Sequence, residues 1–510
     1  MIRYGIDFTI IEKNEGVTPL SKALGTQSRT LEIYEQIGLA EKALARGEIA
    51  SRIQLISGGK IHDGFDLSAM GAGISPYPYM LVLEQSKTEQ MFYEYLQVHQ
   101  RDVRWGTTLE SFTQDDTGVE AVIKQNDSQT ETITAQYLVG CDGAGSFVRK
   151  SLGLSLVGDT FGHMFYVADT EMESNLAHDT LSSVLAKDAF TFFFPMPGGD
   201  NRWRIIGSLS EYKTNENLDF RVEALESKVK AETQLPLEIT AVNWFSTYKV
   251  HTRRVDQFSL GRCFLAGDSA HIHTPAGGQG MNTGIQDAYN LAWKLGLVIK
   301  GYADESLLET YNQERLENAK NLVESTDRLF ELEAGGNQLV SLFRTLILPP
   351  IAKYIFAIKA VQRVVYSMIS QTGIHYADSK LSQSLRSQPF EVKPGDRMPY
   401  FEVEGRSIYD RLHAPKFHLL TFAENGADYL ALEEKVNHDY SHFVDYHTLP
   451  LSDAVTEIFG TQAPFSLLLR PDNYVGLVFD QKSIEPLEQY FSAIYPRKGV
   501  ASPIEKSLPA

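Results

Sequence analysis

Cysteine is scarce in this sequence, and its scarcity excludes several classes of protein. Only two cysteines, Cys141 and Cys263, occur in 510 residues, and they lie far apart. They cannot build a disulfide framework or a cysteine-rich metal site, so we expect two buried thiols in a reducing, cytoplasmic compartment. His271 and His273 stand beside a glycine-rich turn without a third ligand nearby, so no metal site is predicted.

Basic clusters and long apolar runs are missing as well. The formal net charge is −18, which would repel a phosphate backbone, so nucleic acid is not an expected partner. The most hydrophobic stretch, residues 339–369, is interrupted by charged residues and by Pro349-Pro350. A membrane-spanning helix needs about 20 mostly apolar residues, so neither a transmembrane segment nor a signal peptide is predicted. The stretch predicts a pair of amphipathic helices, with a peripheral membrane contact as the alternative.

The composition that is present is typical of a globular chain with two or three domains. Hydrophobic residues make up 43% and charged residues 22%, and 510 residues exceed one typical core. Residues 101–136 alternate in polarity and contain turn residues, which predicts a small antiparallel sheet. Residues 155–250 are rich in aromatic and β-branched residues and predict a second sheet.

The strongest motif joins a buried strand, Cys263–Ala266, to a long helix predicted from Gly280 to Lys300. The connecting loop contains Asp268, Pro275 and the run Gly277-Gly278-Gln279-Gly280. Glycines let the backbone approach a flat or anionic ligand, and the N–H groups of a helix start favour such a ligand. Asp268 can accept hydrogen bonds from ligand hydroxyls; the alternative is an aspartate that caps the helix.

Two weaker candidates lie nearer the start of the chain. A second apolar strand stops at Asp142-Gly143, and a short helix with Arg149 in its first turn follows near Ser146. Asp-Gly is also a common turn dipeptide, so the pattern alone indicates only a turn. Glu12 ends a strand predicted over Phe8–Glu12, where a carboxylate grips the adenosine ribose in dinucleotide-binding folds. An ordinary exposed acid is the alternative.

Together these strings resemble the group A FAD-dependent aromatic hydroxylases, the family of p-hydroxybenzoate, phenol and polyketide hydroxylases. The resemblance continues through residues 287–295 and Glu314-Arg315. It implies an α/β (α+β) fold in which a Rossmann-like FAD-binding domain is interleaved with a β-sheet substrate domain. Pro394-Gly395-Asp396 and Leu469-Arg470-Pro471-Asp472 resemble a thioredoxin-like C-terminal domain, here without the cysteines that dithiol chemistry needs.

The resemblance also sets the expected domain boundaries. The FAD-binding domain is expected at residues 1–155 and 251–335, and the substrate-binding sheet at 156–250. A helical connector is expected at 336–385, and the thioredoxin-like domain at 386–510.

The resemblance assigns contacts with FAD to residues in all of these motifs. They are Glu12, Lys22, Arg29, Gln85, Asp142, Arg149, Asp268, Gly278, Gly280, Met281 and Asn282. Pro275 and Gly278 are assigned to the loop beside flavin and substrate, and no side chain is assigned as acid or base. Many members of the family carry arginine where this chain has Lys22, and lysine lacks the fork that binds phosphate bidentately.

The activity implied by the resemblance is aromatic hydroxylation. NADPH or NADH reduces FAD, the reduced flavin takes up O2 as a C4a-hydroperoxide, and one oxygen passes to a small phenolic or polyketide aromatic substrate. One alternative is another FAD-dependent oxidoreductase, such as a reductase or a halogenase, although the halogenase Trp-x-Trp segment is not found. The other is a cofactor-poor, non-catalytic binding protein. The sequence leaves the substrate and the oligomeric state open, a homodimer included.

One expected element is missing from the sequence. A Gly-x-Gly-x-x-Gly turn should stand about 20 residues before the ribose carboxylate, and the numbering begins too late to include it. We expect either a start assigned downstream of the true one or an N-terminally truncated remnant. In this form the chain is expected to bind FAD poorly, because the diphosphate lacks its glycine-rich cradle.

Overall fold

The computed structural model describes residues 1–126, 130–185, 190–213, 220–273, 278–334, 351, 354–386 and 388–494. Helices are numbered in chain order: α1 Ser28–Gln36, α2 Ala40–Leu44, α3 Leu67–Gly71, α4 Gln85–Val98, α5 Phe147–Ser151, α6 Leu225–Thr233, α7 Gly280–Ile299, α8 Ser306–Ala334, α9 Lys359–Ile369, α10 Leu430–Asp439, α11 Asp453–Phe459 and α12 Glu485–Ser492. Short 3-10 turns occur at Ile2–Tyr4, Val222–Ala224, Gly267–Ser269, Ile408–Arg411 and Gly426–Tyr429.

The strands are also numbered in chain order. They are β1 Ile10–Ile11, β2 Gly25–Thr26, β3 Glu48–Ala50, β4 Arg52–Ser57, β5 Lys60–Asp66, β6 Met80–Val82, β7 Val103–Arg104, β8 Thr107–Gln114, β9 Val119–Gln125, β10 Thr130–Ala135, β11 Leu138–Gly140, β12 Val157–Glu173, β13 Thr180–Leu185, β14 Phe190–Pro195, β15 Arg202–Lys213, β16 Glu238–Arg254, β17 Ser259–Leu260, β18 Cys263–Leu265, β19 His271–Ile272, β20 Gln383–Ser384, β21 Glu402–Val403, β22 Arg406–Ser407, β23 Phe417–Ala423, β24 Val444–Pro450, β25 Phe465–Leu469 and β26 Val475–Phe479.

Parallel strand pairs form the centre of the first structural unit. β1 pairs with β7, and β11 pairs with β18, which also carries β17 on its other side. Every residue of β18 is buried, as its continuous apolar run predicts. Parallel strands end at the same edge of a sheet, so the loops after β11 and β18 emerge side by side. The antiparallel sheet predicted within residues 101–136 is present as β10-β9-β8.

The largest sheet has eight strands in the order β19-β16-β12-β15-β14-β13-β4-β5. It contains the strands predicted between residues 155 and 250, and it extends beyond that range because β4, β5 and β19 join it. One face packs on helix α6 through a core that includes Tyr166, Phe193 and Trp203. Side chains alternate along a strand, and on the other face Arg204 and Phe194 contact the loop before α1 at Lys22 and Leu24.

A mixed sheet, β20-β26-β25-β23-β24, forms the C-terminal unit. β23 and β24 are parallel and connected through α10, whereas β25 and β26 follow as an antiparallel pair. This connectivity supports the thioredoxin-like assignment, which stays a prediction. The unit is not a detached appendage, because Phe417 and Leu419 share one buried core with Trp293 and Leu297 of α7.

The segment between these units is only partly described. Residues 335–350 of the predicted helical connector lie outside the described residues, whereas α9 is present and Tyr366 buries its ring on that helix. Among the helices that the structure describes, none is long and apolar enough to cross a membrane.

Candidate functional site

The two sequence motifs that end at aspartates meet in space. β11 pairs with β18 through Leu138 opposite Cys263, so the Asp142 and Asp268 loops leave the same sheet edge. Arg149 joins the two loops. Its Nη1 donates to the Ser269 carbonyl at 3.0 Å and its Nη2 to the Ala144 carbonyl at 2.8 Å.

Asp142 has mainly a local role in this arrangement. Its Oδ2 accepts hydrogen bonds from the backbone N–H groups of Phe147 at 2.6 Å and Val148 at 3.1 Å, and its Oδ1 accepts one from the Ser146 hydroxyl. The carboxylate therefore satisfies the N–H groups that begin α5. Cys141, which was expected to be buried, is exposed because it stands in this loop, just beyond the end of β11.

The Gly267-Asp268 turn packs directly against helix α7. Gly267 has φ +61°, a left-handed conformation that favours glycine. A Cβ added at Gly284 would lie 3.3 Å from the Gly267 Cα, so helix and turn touch through backbone. Two glycines, one on each side, permit this approach.

The buried carboxylate of Asp287 on α7 holds the Gly267-Asp268 turn in place. Its Oδ2 accepts hydrogen bonds from the Gly267 N–H at 2.9 Å and is 2.7 Å from the His271 Nε2. Its Oδ1 accepts a hydrogen bond from the Arg315 Nε at 2.6 Å. Burial opposes ionisation of this acid, but Arg315 and His271 hold the pKa of Asp287 at about 2. Asp287 therefore remains ionised and orients the turn.

Asp268, by contrast, is exposed and receives no hydrogen bond from any residue that the structure describes. Desolvation by the surrounding protein raises the pKa of Asp268, while His271 and Lys22 oppose that rise. A carboxylate without a protein partner, held beside a rigid turn, is available to hydrogen-bond donors of a ligand.

The start of α7 supplies groups of the opposite polarity. Asn282 ties it to the loop before α1, since its Nδ2 donates to the Gly25 carbonyl at 2.9 Å and its Oδ1 accepts from the Gln27 N–H at 2.8 Å. Among the described residues no side chain caps this helix, so the N–H groups of Gly280, Met281 and Asn282 are free to meet an anionic group. Gly278 has φ +63° and leads into the helix.

Comparison with known proteins identifies the family to which this chain belongs. A family model described as an FAD binding domain matches residues 1–326. The 6-methylpretetramide 4-monooxygenase of Streptomyces rimosus is 31% identical over 501 residues, which cover 93% of this chain and 87% of that protein. The crystal structure of CabE, an aromatic hydroxylase from angucycline biosynthesis, is 26% identical with a TM-score of 0.74, over 97% of this chain and 96% of that one.

The chain belongs to the FAD-dependent aromatic hydroxylases. The fold is also that of aklavinone-11 hydroxylase in its complex with FAD and aklavinone, with a TM-score of 0.77 at 24% identity over 96% of this chain and 94% of that one. The predicted family, the α/β fold class and FAD as the cofactor are thereby confirmed. The chain is an FAD-dependent monooxygenase, and the alternative of a non-catalytic binding protein is not favoured.

The described residues of this hydroxylase fit a flavin. The turn and helix start have glycine at Gly267 and Gly278, where a side chain would be strained and backbone can approach a flat ring. The uncapped N–H groups of α7 suit the side of the flavin on which negative charge gathers on reduction. Asp268 suits the hydroxyls of the ribityl chain. His273 adds two buried ring nitrogens without a described partner, next to Gly280.

Burial lowers the pKa of His273 to about 3, with His271 acting in the same direction, so its ring is neutral at physiological pH. A neutral imidazole next to the helix start can donate or accept a hydrogen bond without adding charge. Pro275, predicted to lie beside flavin and substrate, lies outside the described residues, which omit 274–277.

Three further predicted FAD contacts lie at different places near the beginning of the chain. Gln85 accepts a hydrogen bond from the Ala23 N–H at 3.2 Å. Lys22 is exposed and acts electrostatically on Asp268. Glu12 follows β1, and its Oε1 accepts hydrogen bonds from Asn14. The structure therefore places Lys22 near the turn, whereas Glu12 lies at the end of the separate β1–β7 pair.

Arg29 does not face this site. Its side chain is fully buried, its Nη1 lies 3.0 Å from the Glu32 Oε2, and its Nη2 donates to the Asp472 carbonyl at 2.7 Å. The guanidinium thus links α1 to the C-terminal unit, and its predicted contact with FAD stays a prediction. Nothing in the local sequence around residue 29 indicates a partner so far along the chain.

Sequence reasoning missed the part played by Asp287 and Arg315, although both lie in strings that carried the resemblance. The helical spacing contained a signal: Gly280, Gly284 and Asp287 are four and then three residues apart. Residues at such spacings share one face of a helix, so an aspartate in line with two glycines faces the same loop.

Proposed function

We propose that this monooxygenase hydroxylates a planar, phenolic or polyketide-like aromatic substrate with FAD, O2, and NADPH or NADH. The observation that carries the proposal is a set of aromatic side chains on the loop-facing side of the eight-stranded sheet. We call this set the aromatic wall; it consists of Phe165, Phe190, Phe192, Phe194, Trp244 and Tyr248.

According to the strand register, these aromatic side chains share one face of the sheet. One row across β14, β15, β12 and β16 contains Phe194, Arg204, Asp169 and Trp244. The next row contains Phe192, Ile206, Val167 and Ser246. The ring centroids of Phe190 and Phe192 are 5.3 Å apart and those of Phe192 and Phe194 6.3 Å. Phe192, Phe194 and Tyr248 are half-buried, which leaves aromatic surface for another flat ring.

The aromatic wall also contacts the loop before α1, which carries the proposed FAD contact Lys22. Phe194 packs against the cluster that contains Leu24, in the loop before α1. From the same row, the Arg204 Nη1 donates to the Lys22 carbonyl at 3.4 Å. A ring on this wall would thus stand between the sheet and the loops that hold FAD, where water is excluded.

We assign the following roles. The bound cofactor supplies the redox chemistry, with electrons from the nicotinamide and oxygen from O2. Asp268 would accept hydrogen bonds from cofactor hydroxyls, and the N–H groups of Gly280, Met281 and Asn282 would stabilise negative charge. The lack of a side chain at Gly278 would leave room for the ring. The aromatic wall orients the substrate. Glu12, Lys22, Gln85, Asp142 and Arg149 remain proposed cofactor contacts. Both cysteines are free, which supports the proposed cytoplasmic location.

The proposal is tested with the purified full chain and added FAD. NADPH and NADH oxidation is followed with a panel of phenols, naphthols and hydroxyanthraquinones, and products are analysed by mass spectrometry. We expect faster oxidation with at least one aromatic compound and a product heavier by one oxygen atom. If aromatic compounds yield only peroxide while an aliphatic amine or sulfide is oxygenated, the proposed substrate class is wrong.

A further inference from the structure

Two opposite charges are embedded in the aromatic wall. Asp169 on β12 lies directly opposite Arg204 on β15 in the strand register. The Arg204 Nε is 2.5 Å from the Asp169 Oδ1, and the Nη2 is 2.8 Å from Oδ2, so the pair is bidentate. The Arg204 side chain is 0% exposed and that of Asp169 14%. Such a fork-to-carboxylate geometry is the strongest form of ion pair.

Two further groups of the protein contact the Arg204 guanidinium. Its third nitrogen, Nη1, donates to the Lys22 carbonyl at 3.4 Å, and its carbon lies 5.3 Å from the centre of the Trp244 ring. Burial raises the pKa of the neighbouring Tyr248, which stays a neutral phenol. Each nitrogen of Arg204 therefore has a protein partner, which engages three of its five N–H groups. The positive charge itself is buried and paired with Asp169, so it is not free to pair with a substrate carboxylate.

No other charge interrupts this part of the sheet. Among the described side chains that share the face of the wall at 165–169, 190–194, 204–208 and 244–250, only Asp169 and Arg204 are charged. One step further along, Glu171 lies opposite Arg202, whose Nη1 donates to the Pro197 carbonyl at 2.6 Å. Lys22 is the nearest cation in the covering loop, and it acts on Asp268.

We infer that the Arg204–Asp169 pair is a specificity-determining element, which keeps the wall electrically neutral and thereby selects uncharged rings over aromatic carboxylates. The inference rests on the proposed function, since it assumes that the substrate ring lies on the wall. A carboxylate brought against the wall would lose its water without gaining a free cation, and it would stand close to Asp169. An uncharged ring of the same shape meets neither cost.

The test compares two ligands that differ only in charge, a hydroxynaphthoate and the corresponding hydroxynaphthamide. Their equilibrium binding to the FAD-loaded protein is measured without NAD(P)H, from the flavin absorbance change. We expect the wild-type protein to bind the amide at least tenfold more tightly than the carboxylate. Equal affinities, or tighter binding of the carboxylate, would overturn the inference.

Variants at the two positions should change the ratio of amide affinity to carboxylate affinity in opposite directions. Asp169→Asn leaves Arg204 with a free charge and should improve relative binding of the carboxylate at least tenfold. Arg204→Gln leaves Asp169 unpaired and should weaken the carboxylate further. The double variant Asp169→Asn/Arg204→Gln is the matched control, and it should restore the wild-type ratio. If one single variant fails to fold, as shown by its melting curve, the other single variant and the wild-type ratio still decide.

The two proposals fail in different ways. Normal selectivity for uncharged rings without any hydroxylated product would contradict the proposed function and leave the role of the pair intact. Suppose instead that naphthols are hydroxylated, but that the ratio of amide affinity to carboxylate affinity is the same in the wild type, the two single variants and the double variant. That result would contradict the role of the pair and leave the proposed function intact.

Discussion

Carboxylates serve different purposes at two points along helix α7. Near the start of the helix, at the turn proposed to hold the cofactor, Asp268 is exposed, has no hydrogen bond from a described residue, and its pKa is raised by desolvation. On the side of the C-terminal unit, Glu314 is buried, and its Oε2 lies 2.8 Å from the Lys294 Nζ while its Oε1 lies 2.7 Å from the Arg470 Nη1. Burial opposes the charge of Glu314, but Arg470 and Lys294 hold its pKa far below the usual value.

The difference separates ligand binding from structure. Removing one member of a buried ion-pair network leaves an uncompensated charge, so the network holds α7, α8 and the C-terminal unit together. An unpaired carboxylate at a rigid turn contributes little to that packing, and its interactions remain available to a cofactor. The same residue type is thus a structural group at Glu314 and, as we propose, a binding group at Asp268. The following predictions test this distinction.

The largest effect is expected from Glu314→Gln. The variant leaves Lys294 buried without its carboxylate partner and leaves Arg470 with Asp472 alone, so one buried positive charge is uncompensated, which costs about 3–5 kcal/mol of stability. The matched control is Glu309→Gln, five residues earlier on α8, where the ion pair with Lys380 is exposed at 69% on both side chains and is worth at most about 1 kcal/mol. Urea unfolding measures both. A loss for Glu314→Gln no larger than that for Glu309→Gln would contradict the structural role.

A second effect is expected in acid. The pKa of Asp287 is held at about 2, below the ordinary 3.8. A depressed carboxyl pKa contributes stability that is present above about pH 4 and is lost as the pH falls toward 2. The contribution is on the order of 2 kcal/mol.

Urea unfolding of wild type and Asp287→Asn between pH 5 and pH 2 checks this contribution. The wild-type protein should lose more stability over this window than the variant, since Glu314 titrates in both and cancels in the comparison. Parallel pH profiles would mean that Asp287 is not the ionised anchor of the turn.

A third effect concerns the binding side alone. Asp268→Ala should weaken FAD about tenfold or more, because a hydrogen bond to a polar partner in a buried site contributes roughly 1–3 kcal/mol. The melting temperature without FAD should stay at the wild-type value, since the described residues give this carboxylate no structural partner. Asp256→Ala, at another exposed aspartate outside the loop, is the control. Unchanged FAD affinity in dialysis would remove Asp268 from the cofactor site.

Much of the fold could be predicted because its signals are local. The helix predicted from Gly280 to Lys300 is present as α7, and Gly301, which follows it, has a left-handed conformation. Hydrophobic periodicity and terminal glycines determine such elements. The strand predicted over Phe8–Glu12 is shorter, β1, because only Ile10 and Ile11 pair with β7.

The site was less predictable, because its supporting contacts join distant parts of the chain. The motif located Asp268 and Asn282 because both stand in one continuous strand, loop and helix start, although the partners of Asn282 lie 255 and 257 residues earlier. The partners of Arg29 were not predictable, because its hydrogen bond to Asp472 spans 443 residues. The Asp169–Arg204 pair depends on strand register, which alternation of polarity alone does not determine.

We propose that the FAD of this monooxygenase lies between the Asp268 turn, the start of α7 and the aromatic wall. The most direct test is a reaction of the FAD-loaded protein with NAD(P)H, an accepted naphthol and 18O2. We expect a ring-hydroxylated product that carries one atom of 18O. At limiting FAD, Asp268→Ala should form less of this labelled product, in proportion to its lower activity. A product labelled from water, or full activity of Asp268→Ala at limiting FAD, would contradict the proposal.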